Sequence, residues 1–372
     1  MTRSPKIKVL QIIDSLPREG AEILLYDIVS RCDPAAFSFA VVALTRGGGA
    51  AEMIESAGIP LRLLSRRSRW DLSAFLRLIR LIRKFRPAVV HTHLFSSRVW
   101  GTLAARLSGA GTAVVHTEHN TSEWKGPWRA SADRLLGFFT DRIVAVSAPV
   151  RDSLVSCCRV SPGRIAVIEN GLNFARLRAA SSRPELIRKL GLPPESLLVG
   201  IVAALTPKKG HAYFLQAAER ILSRRRDVHF LVLGEGELRG ELARQAEGKG
   251  MAENVHFLGS RPDAIEIGAR LDVFALSSIR EGLSLALLEA MALGRAVAIT
   301  SVGGAAGVIE NGQTGLLVPP RDSAALAAAI ERLLDRPEER REMGERASAS
   351  VRARFDAGRM VRAYEELYRE LA

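Results

Sequence analysis

The sequence predicts an α/β protein made of two consecutive parallel-sheet domains. Short apolar runs without polar alternation recur along the chain, which is typical of strands that are buried on both faces. Amphipathic helical stretches lie between these runs, and such alternation favours a parallel sheet covered by helices. The chain has 372 residues, and at about 150 residues per domain this length also favours two domains.

The first half of the chain contains five predicted strands and two predicted helices. The strands are expected at 8–14, 37–44, 88–93, 112–119 and 141–147, and the helices at 21–32 and 71–85. A passage rich in Ser, Pro and Arg at 174–196 interrupts the pattern and is typical of an interdomain linker. We therefore expect a first domain over residues 1–180.

The same alternation returns after the linker. Strands are expected at 197–205, 228–234, 254–259, 272–277 and 296–300, and helices at 211–225, 237–250, 283–294 and 360–372. We expect a second domain over 181–350, and a C-terminal helical segment, 351–372, that crosses back to the first domain. Ligands of such sheets bind at the carboxyl ends of the strands, beside helix N-termini.

Composition limits the functional classes. No run of about 18 uncharged apolar residues is present that could span a membrane, and the chain enters a strand almost at once, so we expect no signal peptide. The three cysteines, Cys32, Cys157 and Cys158, lack metal-ligand spacing and indicate a reduced cytoplasmic protein. No Asp-x-Asp pair occurs, so the commonest carboxylate clamp for a metal-bound nucleotide is absent and we expect no metal.

The net charge is +13, with 45 arginines and 8 lysines. Solvated helix faces, an anionic ligand, an anionic membrane surface and nucleic acid all remain compatible with this charge. Nucleic acid is disfavoured, because no recognition motif is present and only 6% of the residues are aromatic.

The stretch AALTPKKGHAY, residues 203–213, ends a predicted strand with a basic turn. Lys208, Lys209 and Gly210 precede the next predicted helix. Ammonium groups at a helix N-terminus make a phosphate site, since the backbone N–H groups and the helix dipole add to the charge. A solvated basic turn is the alternative, and spacing alone does not decide between the two.

The stretch SIREGLSLALLEAMALG, residues 278–294, carries two glutamates in an apolar run. Glu281 is expected in the loop before the helix and Glu289 about two turns further in. An eight-residue offset is roughly 80° of helical rotation, so both could face one cleft, and carboxylates are strong acceptors for sugar hydroxyls. The alternative is that Glu281 caps the helix and Glu289 pairs with Arg295.

Two weaker candidates follow other strands. In VVHTEHNTSEWKG, His119 can act as an acid, a base or a hydrogen-bond donor to a ligand, whereas His91, His93 and His116 are expected to be structural. The histidine spacing predicts no metal site. In SVGGAAGVIENGQTGLLVPPRD, adjacent glycines let the backbone approach a ligand closely, although a tight turn explains them equally well.

Nine stretches of the chain occur in an order that matches one enzyme family. They are LPREGAEILLYDIV, AVVHTHLFSS, RIVAVSAPVRDSL, IAVIENGLNFARL, VAALTPKKGH, LVLGEGELRGEL, NVHFLG, EGLSLALLEAMALGRAVAIT and SVGGAAGVIENGQTGLLVPPRD. The set spans nearly the whole chain and resembles glycosyltransferase family 4, which contains retaining enzymes of the GT-B fold. The resemblance implies two Rossmann-like domains that face each other across a cleft.

The resemblance also implies an activity. A hexose or N-acetylhexosamine would pass from a nucleotide diphosphate sugar, with UDP-sugar favoured over GDP-sugar, to a glycan or lipid-linked acceptor in cell-surface polysaccharide or glycolipid synthesis. No cofactor or metal would be required. A nucleotide-sugar 2-epimerase of GT-B architecture, which would convert the donor without an acceptor, is the second candidate.

Individual residues acquire roles from the resemblance. The three expected catalytic residues are Glu281 beside the transferred sugar, Lys209 at the leaving diphosphate and His119 near the reaction centre. Glu289 corresponds to the glutamate that holds the ribose hydroxyls, and Gly20 to the second glycine of a GGxE loop that faces donor phosphate and acceptor. Backbone N–H groups at the start of the glutamate-bearing helix would meet the diphosphate: Gly282, Leu283, Ser284 and Leu285.

Four positions depart from the family pattern, namely Ala204 for a diphosphate-binding arginine, Glu19 for the first glycine of GGxE, Gly307 for a glutamate and Asn173 for the aspartate of an NGxD turn. Lys208 or Arg280 could substitute for the missing arginine. These departures leave a further alternative, a catalytically impaired relative that only binds nucleotide sugar.

The basic segment 66–86 raises a separate question of membrane contact. Its predicted helix places one apolar stripe opposite the arginines: Leu72, Phe75, Leu76, Ile79, Ile82 and Phe85. Such a helix can lie on anionic lipid, which would place the protein peripherally at the inner face of the plasma membrane. The favoured alternative is that the stripe packs on the sheet of a cytoplasmic protein.

Overall fold

The fold divides into two compact units. In this computed structural model of the protein, residues 5–122, 126–177 and 182–372 are described. The first unit comprises Met1–Gly171 together with Ala357–Ala372, and the second comprises Leu172–Asp356. The chain thus leaves the first unit at Gly171, ahead of the expected boundary at residue 180, and returns to it at Ala357.

The first unit is built on a parallel sheet. Its described strands are β1 (Ile7–Ile13), β2 (Phe37–Ala43), β3 (Leu61–Leu63), β4 (Val89–His93), β5 (Ala113–Glu118), β6 (Arg142–Ala145) and β7 (Ile165–Val167). They are ordered β3-β2-β1-β4-β5-β6-β7, and every pair of neighbours is parallel. The strand order reverses between β1 and β4, the type of position where ligands bind to doubly wound sheets.

Helices flank this sheet. They are α1 (Gly20–Arg31), α2 (Gly49–Ser56), α3 (Leu72–Phe85), α4 (Phe95–Ser108), α5 (Pro127–Phe138), α6 (Ala148–Cys158) and, from the end of the chain, α14 (Ala357–Leu371). Within the described residues, none of the helices of either unit is long and apolar enough to cross a membrane.

Helix α3 buries a set of residues that overlaps the predicted stripe only in part. Leu78, Ile79 and Ile82 are buried in the core of the first unit, whereas Leu72 and Leu76 are 66% and 42% exposed. The predicted stripe was therefore wrong at its N-terminal end. The sheet lies beneath Leu78 and not beneath Leu72, and a helical wheel cannot tell which of two adjacent apolar rows meets the sheet.

Helix α14 is part of the core of the first unit. Tyr368 is fully buried, and its ring packs edge-on against Phe37 and Phe39 with centroids 6.1 and 6.2 Å away. The Glu365 carboxylate accepts a hydrogen bond from the backbone N–H of Asp33 at 2.7 Å. The last helix of the chain therefore packs against residues that lie near the N-terminus of the chain.

The second unit repeats the architecture. Its strands are β8 (Leu197–Val202), β9 (Val228–Leu233), β10 (Val255–Gly259), β11 (Val273–Leu276), β12 (Ala296–Thr300) and β13 (Leu316–Val318), and its helices are α7 (Arg183–Lys189), α8 (His211–Leu222), α9 (Arg239–Gly248), α10 (Ala264–Gly268), α11 (Leu285–Ala292), α12 (Ser323–Asp335) and α13 (Pro337–Arg354). Among the described residues the parallel order is β10-β9-β8-β11-β12-β13. The order reverses between β8 and β11.

The prediction of a linker at 174–196 is wrong in part, because this passage contains helix α7. Ser182 caps this helix by accepting a hydrogen bond from the Glu185 N–H at 3.4 Å. The Arg183 guanidinium donates to the Arg270 carbonyl at 2.7 Å and to the Asp272 carboxylate at 2.6 Å, which ties the helix to the second unit. Residues 178–181 lie outside the described residues.

Candidate active site

The lysine turn that follows β8 rests directly on the end of β11. Pro207–Lys209 forms a 3-10 turn, and Gly210 follows with φ +64°. A Cβ atom on Gly210 would lie 2.2 Å from the Ser277 carbonyl oxygen, so only glycine fits. The Ser277 hydroxyl donates to the Lys209 carbonyl at 3.2 Å, and the Ile279 N–H donates to the Lys208 carbonyl at 2.8 Å.

This contact brings two predicted site residues together. The Lys209 ammonium donates a hydrogen bond to Oε1 of Glu281 and forms an ion pair with it. Both side chains are largely buried, with 17% and 11% of their surface exposed. Glu281 is therefore not the helix cap. That role belongs to Ser284, whose hydroxyl accepts from the Leu287 N–H at 3.3 Å.

Glu289 lies in the second turn of α11 and is half-buried. The proposed alternative partner, Arg295, donates instead to the backbone carbonyls of Leu293 at 3.3 Å and Leu271 at 3.1 Å. Helix α11 begins at Leu285, after Glu281. The estimate of 80° between the two glutamates assumed a continuous helix and does not describe their separation.

The glycine-rich turn after β12 packs closely against the backbone of Glu281. Gly303 has φ +55°, and a Cβ atom there would lie 2.1 Å from the Glu281 carbonyl oxygen. The Gly304 N–H donates to the Gly282 carbonyl at 2.5 Å. The glycines therefore serve a close approach between two loops, and a tight turn alone does not explain them.

A fourth loop, after β9, completes the arrangement. The Leu205 N–H donates to the Glu235 carbonyl at 2.9 Å, and the Leu238 N–H donates to the Leu205 carbonyl at 3.1 Å. Loops from the carboxyl ends of β8, β9, β11 and β12 are thus joined by direct contacts where the strand order reverses. Ligands of doubly wound sheets bind at such a position.

Buried polar atoms without partners lie in the same loops. Both ring nitrogens of His211 lack a hydrogen-bond partner among the described residues, as do the hydroxyls of Thr206 and Ser278. Burial, with a smaller contribution from the Lys209 charge, lowers the pKa of His211 to about 4, so this ring is neutral at neutral pH. Buried polar groups are normally hydrogen-bonded, so these atoms are exceptions that lie together in the loops of the candidate site.

Positive charge also accumulates here. Burial and the neighbouring Arg321 guanidinium lower the pKa of Arg280, and the Arg280 N–H donates to the Lys208 carbonyl at 3.3 Å. Repulsion between cations is relieved when an anion binds. Among the described residues, no group of three or more His, Cys, Asp or Glu side chains is arranged to hold a metal ion, and whether a metal is needed stays a prediction.

His119 and Gly20 belong to the first unit. His119 follows β5, and its Nε2 lies 3.3 Å from Nδ1 of His93, whose Nε2 lies 2.8 Å from Oε1 of Gln11. Gly20 is exposed and opens helix α1. The departure Glu19 precedes it as an N-cap residue that makes no side-chain capping hydrogen bond.

The other departures are local. The Asn173 side chain accepts from the Ala175 N–H at 3.2 Å, the turn-capping bond that an aspartate makes. Gly307 ends the 3-10 turn that begins at Gly303, and Ala204 is half-buried in the loop after β8. None of these residues contributes a side chain to the Lys209–Glu281 contact.

Comparison with known proteins places this arrangement in a family. Residues 18–176 match the family model described as Glycosyltransferase Family 4, and residues 182–350 match the model described as Glycosyl transferases group 1. The chain is a family 4 glycosyltransferase. The resemblance on which the sequence analysis relied is confirmed, and the protein is an enzyme of the transferase class.

Its relatives include enzymes with different acceptors. The glycosyltransferase is 29% identical over 276 residues, 71% of each chain, to the UDP-Gal:alpha-D-GlcNAc-diphosphoundecaprenol alpha-1,3-galactosyltransferase of Escherichia coli. It is 31% identical over 269 residues to the D-inositol 3-phosphate glycosyltransferase of Rhodococcus jostii. That alignment covers 67% of this chain and 59% of the relative.

The solved structures confirm the fold class. The HepE protein of Anabaena in complex with UDP-glucose aligns with a TM-score of 0.86 at 22% identity, covering 98% of this chain and 99% of that one. The two parallel α/β units are therefore those of the GT-B architecture.

Sequence reasoning missed several residues that hold the site. Ser277 and Gly303 position Lys209 and Glu281, and Gln11 and His93 support His119. Gly303 carried a signal in its adjacent glycines. Gln11 carried none, because a single polar residue inside an apolar strand does not show what it contacts.

Proposed function

We propose that this glycosyltransferase moves a hexose or an N-acetylhexosamine from a UDP-sugar to a glycan or lipid-linked acceptor, with retention of the anomeric configuration. The observation that carries the proposal is the buried Lys209–Glu281 pair, held by four loops at the carboxyl edge of the second sheet. The donor favoured is UDP because the Anabaena structure is named as a UDP-glucose complex and the Escherichia coli relative as a UDP-Gal enzyme.

The chemistry assigned to Lys209 follows from the leaving group. Cleavage of the sugar–phosphate bond builds negative charge on the departing diphosphate, and preorganised positive charge in a dry site stabilises that charge most effectively. An ammonium has three N–H donors, and the bond to Glu281 uses one of them. Glu281 therefore orients Lys209 and leaves further donors for phosphate oxygens.

The remaining roles complete the donor site. Glu281 has a second carboxylate oxygen that can accept from a sugar hydroxyl, and Glu289 would accept from the ribose hydroxyls. The diphosphate would lie at the N-terminus of α11, where helix N–H groups favour anions. Backbone donors come from Gly282, Leu283, Ser284 and Leu285. The first unit would supply His119 near the reaction centre, and Gly20 toward the donor phosphate and the acceptor.

The acceptor is proposed from the relatives. The Escherichia coli enzyme is named for a diphosphoundecaprenol-linked sugar and the Rhodococcus jostii enzyme for D-inositol 3-phosphate. Both acceptors carry phosphate, which suits a protein with a net charge of +13. We place the activity in cell-surface polysaccharide or glycolipid synthesis in the cytoplasm.

Thermal stabilisation by a panel of UDP- and GDP-sugars tests the donor. A ligand at 100 times its dissociation constant stabilises the native state by about 2.7 kcal/mol, so UDP-sugars should raise the melting temperature, and EDTA should not reduce the effect. Lys209→Ala should abolish most of the shift, whereas Lys249→Ala, which removes an exposed lysine that pairs with Glu219, should not.

Product analysis then tests the reaction. Turnover with a lipid-linked acceptor should give an anomeric configuration equal to that of the donor, measured by NMR. Conversion of the donor to its 2-epimer without an acceptor would establish the epimerase instead. Failure of every nucleotide sugar to stabilise the protein would remove the donor proposal.

Membrane contact is a further part of the proposal. Trp70, Leu72 and Leu76 are 81%, 66% and 42% exposed at the start of α3, beside the exposed Arg67 and Arg69. Aromatic and apolar side chains flanked by arginines suit an anionic lipid surface. We expect co-sedimentation with anionic vesicles at low salt, lost in Trp70→Ser/Leu72→Ser, and equal pelleting with neutral vesicles would exclude charge-dependent contact.

A further inference from the structure

A chain of hydrogen bonds runs from His119 into the core of the first unit. His119 Nε2 lies 3.3 Å from His93 Nδ1, and His93 Nε2 lies 2.8 Å from Gln11 Oε1. Gln11 Nε2 in turn donates to the hydroxyl of Tyr368 at 2.9 Å. Strand β1, strand β4 and the last helix of the protein are thereby connected to a residue that we assign to the reaction centre.

The chain continues beyond Tyr368. Its hydroxyl lies 2.7 Å from His91 Nδ1, and His91 Nε2 lies 2.7 Å from the Thr117 hydroxyl. The Thr117 hydroxyl lies 3.2 Å from the hydroxyl of Tyr364, which is the last member of this series of hydrogen bonds. Apart from His119, every member exposes 3% of its surface or less, so bulk water does not compete for these bonds.

Burial also fixes the charge of the two inner rings. It lowers the pKa of His91 to about 3 and the pKa of His93 well below its ordinary value. Both rings are therefore neutral at neutral pH. A neutral imidazole has one donor nitrogen and one acceptor nitrogen, so each ring that makes two hydrogen bonds holds a single tautomer.

The amide of Gln11 sets the direction of the chain. Its oxygen can only accept, so His93 carries its hydrogen on Nε2 and accepts at Nδ1. His119 then donates from Nε2, and in a neutral His119 ring Nδ1 would be the acceptor nitrogen. The Gln11 amide N–H donates to the Tyr368 hydroxyl oxygen. The Tyr368 hydroxyl in turn donates its hydrogen to His91 Nδ1.

Tyr368 holds the amide in this orientation. Without the tyrosine hydroxyl, the Gln11 N–H would be buried without an acceptor, and orphaned buried N–H groups are rarer than under-satisfied carbonyls. Turning the amide by 180° would remove the orphaned N–H and leave the carbonyl in its place. The turned amide would donate to His93 Nε2, which moves the hydrogen of His93 to Nδ1 and makes His119 Nε2 an acceptor.

We propose that Gln11, held by Tyr368, is a positioning residue that fixes the tautomer of His93 and, through it, the tautomer of His119. Helix α14 would thus set the proton arrangement at the reaction centre as well as complete the core. The effect on catalysis rests on the proposed function, whereas the assignment of the His93 and His119 tautomers is independent of it.

Long-range ¹H–¹⁵N correlation spectra of the histidine rings test the proposal at neutral pH. The seven histidines can be assigned from single substitutions. In the unsubstituted protein, His93 and His119 should both be Nε2–H tautomers. Tyr368→Phe should convert His93 to the Nδ1–H tautomer and make His119 Nε2 an acceptor.

Tyr364→Phe is the matched control. It removes a hydroxyl from a second buried tyrosine one turn away on α14. The Tyr364 hydroxyl lies beside Thr117, and its ring contacts with His91 and Tyr368 are kept in the phenylalanine variant. The tautomers of His93 and His119 should stay as in the unsubstituted protein. Unchanged tautomers in Tyr368→Phe, or equal changes in both variants, would overturn the proposal.

Substitutions of Gln11 itself give a second test. In Gln11→Glu either carboxyl oxygen accepts from His93, so the Nε2–H tautomer should persist, and it should be restored in Gln11→Glu/Tyr368→Phe. In Gln11→Leu the acceptor is lost and the His93 tautomers should mix. A single unchanged tautomer in Gln11→Leu would show that Gln11 does not fix His93.

Turnover gives the catalytic readout. Tyr368→Phe should lower kcat about tenfold, the value of one hydrogen bond in the transition state, with the donor KM within twofold and Tyr364→Phe unchanged. Equal kcat values for the two variants would remove the catalytic role. If the tautomers change as expected but the unsubstituted protein transfers no sugar, the proposed function fails and the assignment of Gln11 stands.

Discussion

Replacing Gly303 with alanine tests whether the glycine turn holds Glu281 in place. A Cβ atom at this position would lie 2.1 Å from the Glu281 carbonyl oxygen, whereas Cβ atoms essentially never approach another heavy atom within 3.0 Å. The obstacle is backbone and not the end of a flexible side chain. The two loops therefore have to separate by roughly an ångström, and the Glu281 carboxylate moves with its backbone.

The size of the effect follows from this displacement. A misplacement of about 1 Å at the reacting groups costs roughly 100-fold in rate, so we expect kcat/KM for sugar transfer to fall about 100-fold. Alanine in a left-handed conformation costs about 1–2 kcal/mol, and each kcal/mol lowers the melting temperature of a domain this size by roughly 2–4 °C. Gly303→Ala should therefore remain folded at 25 °C.

Gly312→Ala separates the displacement from the backbone cost. Gly312 has φ +81°, and a Cβ atom there would meet nothing within 4 Å. This variant should lose only the stability that alanine costs in a left-handed conformation, about 1–2 kcal/mol, and should keep its kcat/KM, measured with the same UDP-sugar and acceptor. Equal activity of Gly303→Ala and Gly312→Ala would refute the conclusion that the glycine turn positions Glu281.

Three further changes have defined outcomes. Glu289→Ala should weaken UDP binding in calorimetry and Glu281→Ala should mainly lower kcat, and equal losses in both quantities would make the two glutamates structural. The Arg98–Asp133 pair is fully buried with an N–O distance of 2.7 Å, so Arg98→Met should cost about 3–5 kcal/mol in urea unfolding, and Arg98→Met/Asp133→Leu should recover most of it. His91, with its pKa lowered to about 3, takes up a proton only on unfolding between that value and its ordinary value of 6.5. Its contribution to stability is therefore complete above pH 6.5 and falls by about 1.4 kcal/mol per pH unit below it, and an unchanged slope in His91→Gln would contradict this assignment.

The strands and the loops that carry the site could be predicted because their signals are local. Apolar runs mark strands buried on both faces, and the prediction for β12, 296–300, matches its observed bounds. Basic and glycine-rich turns mark the ends of β8 and β12, since a loop that approaches another backbone needs glycine at the point of contact. Each of these signals lies within about ten residues of sequence.

Contacts between distant residues left no such signal. Lys209 and Glu281 are 72 residues apart, and Gln11 and Tyr368 are 357 residues apart. Periodicity predicts which face of an element is buried but not which neighbour covers it, as the exposed Leu72 of α3 illustrates. Pairing across a sheet, and the return of the last helix to the first unit, are decided by packing of the whole chain.

The four departures from the family pattern can be judged by the same geometry. The features that bring Lys209 to Glu281 are Gly210, Ser277 and Gly303, and all three contacts are present. A departure that removes a side chain without disturbing these backbone contacts changes the charge near the donor but not the position of Lys209. We therefore expect Ala204, which stands where the family has an arginine, to weaken diphosphate binding without moving Lys209 or Glu281. The contacts among these loops are present in the part of the chain that the structure describes, and the alternative of a catalytically impaired relative stays a matter for the turnover assay.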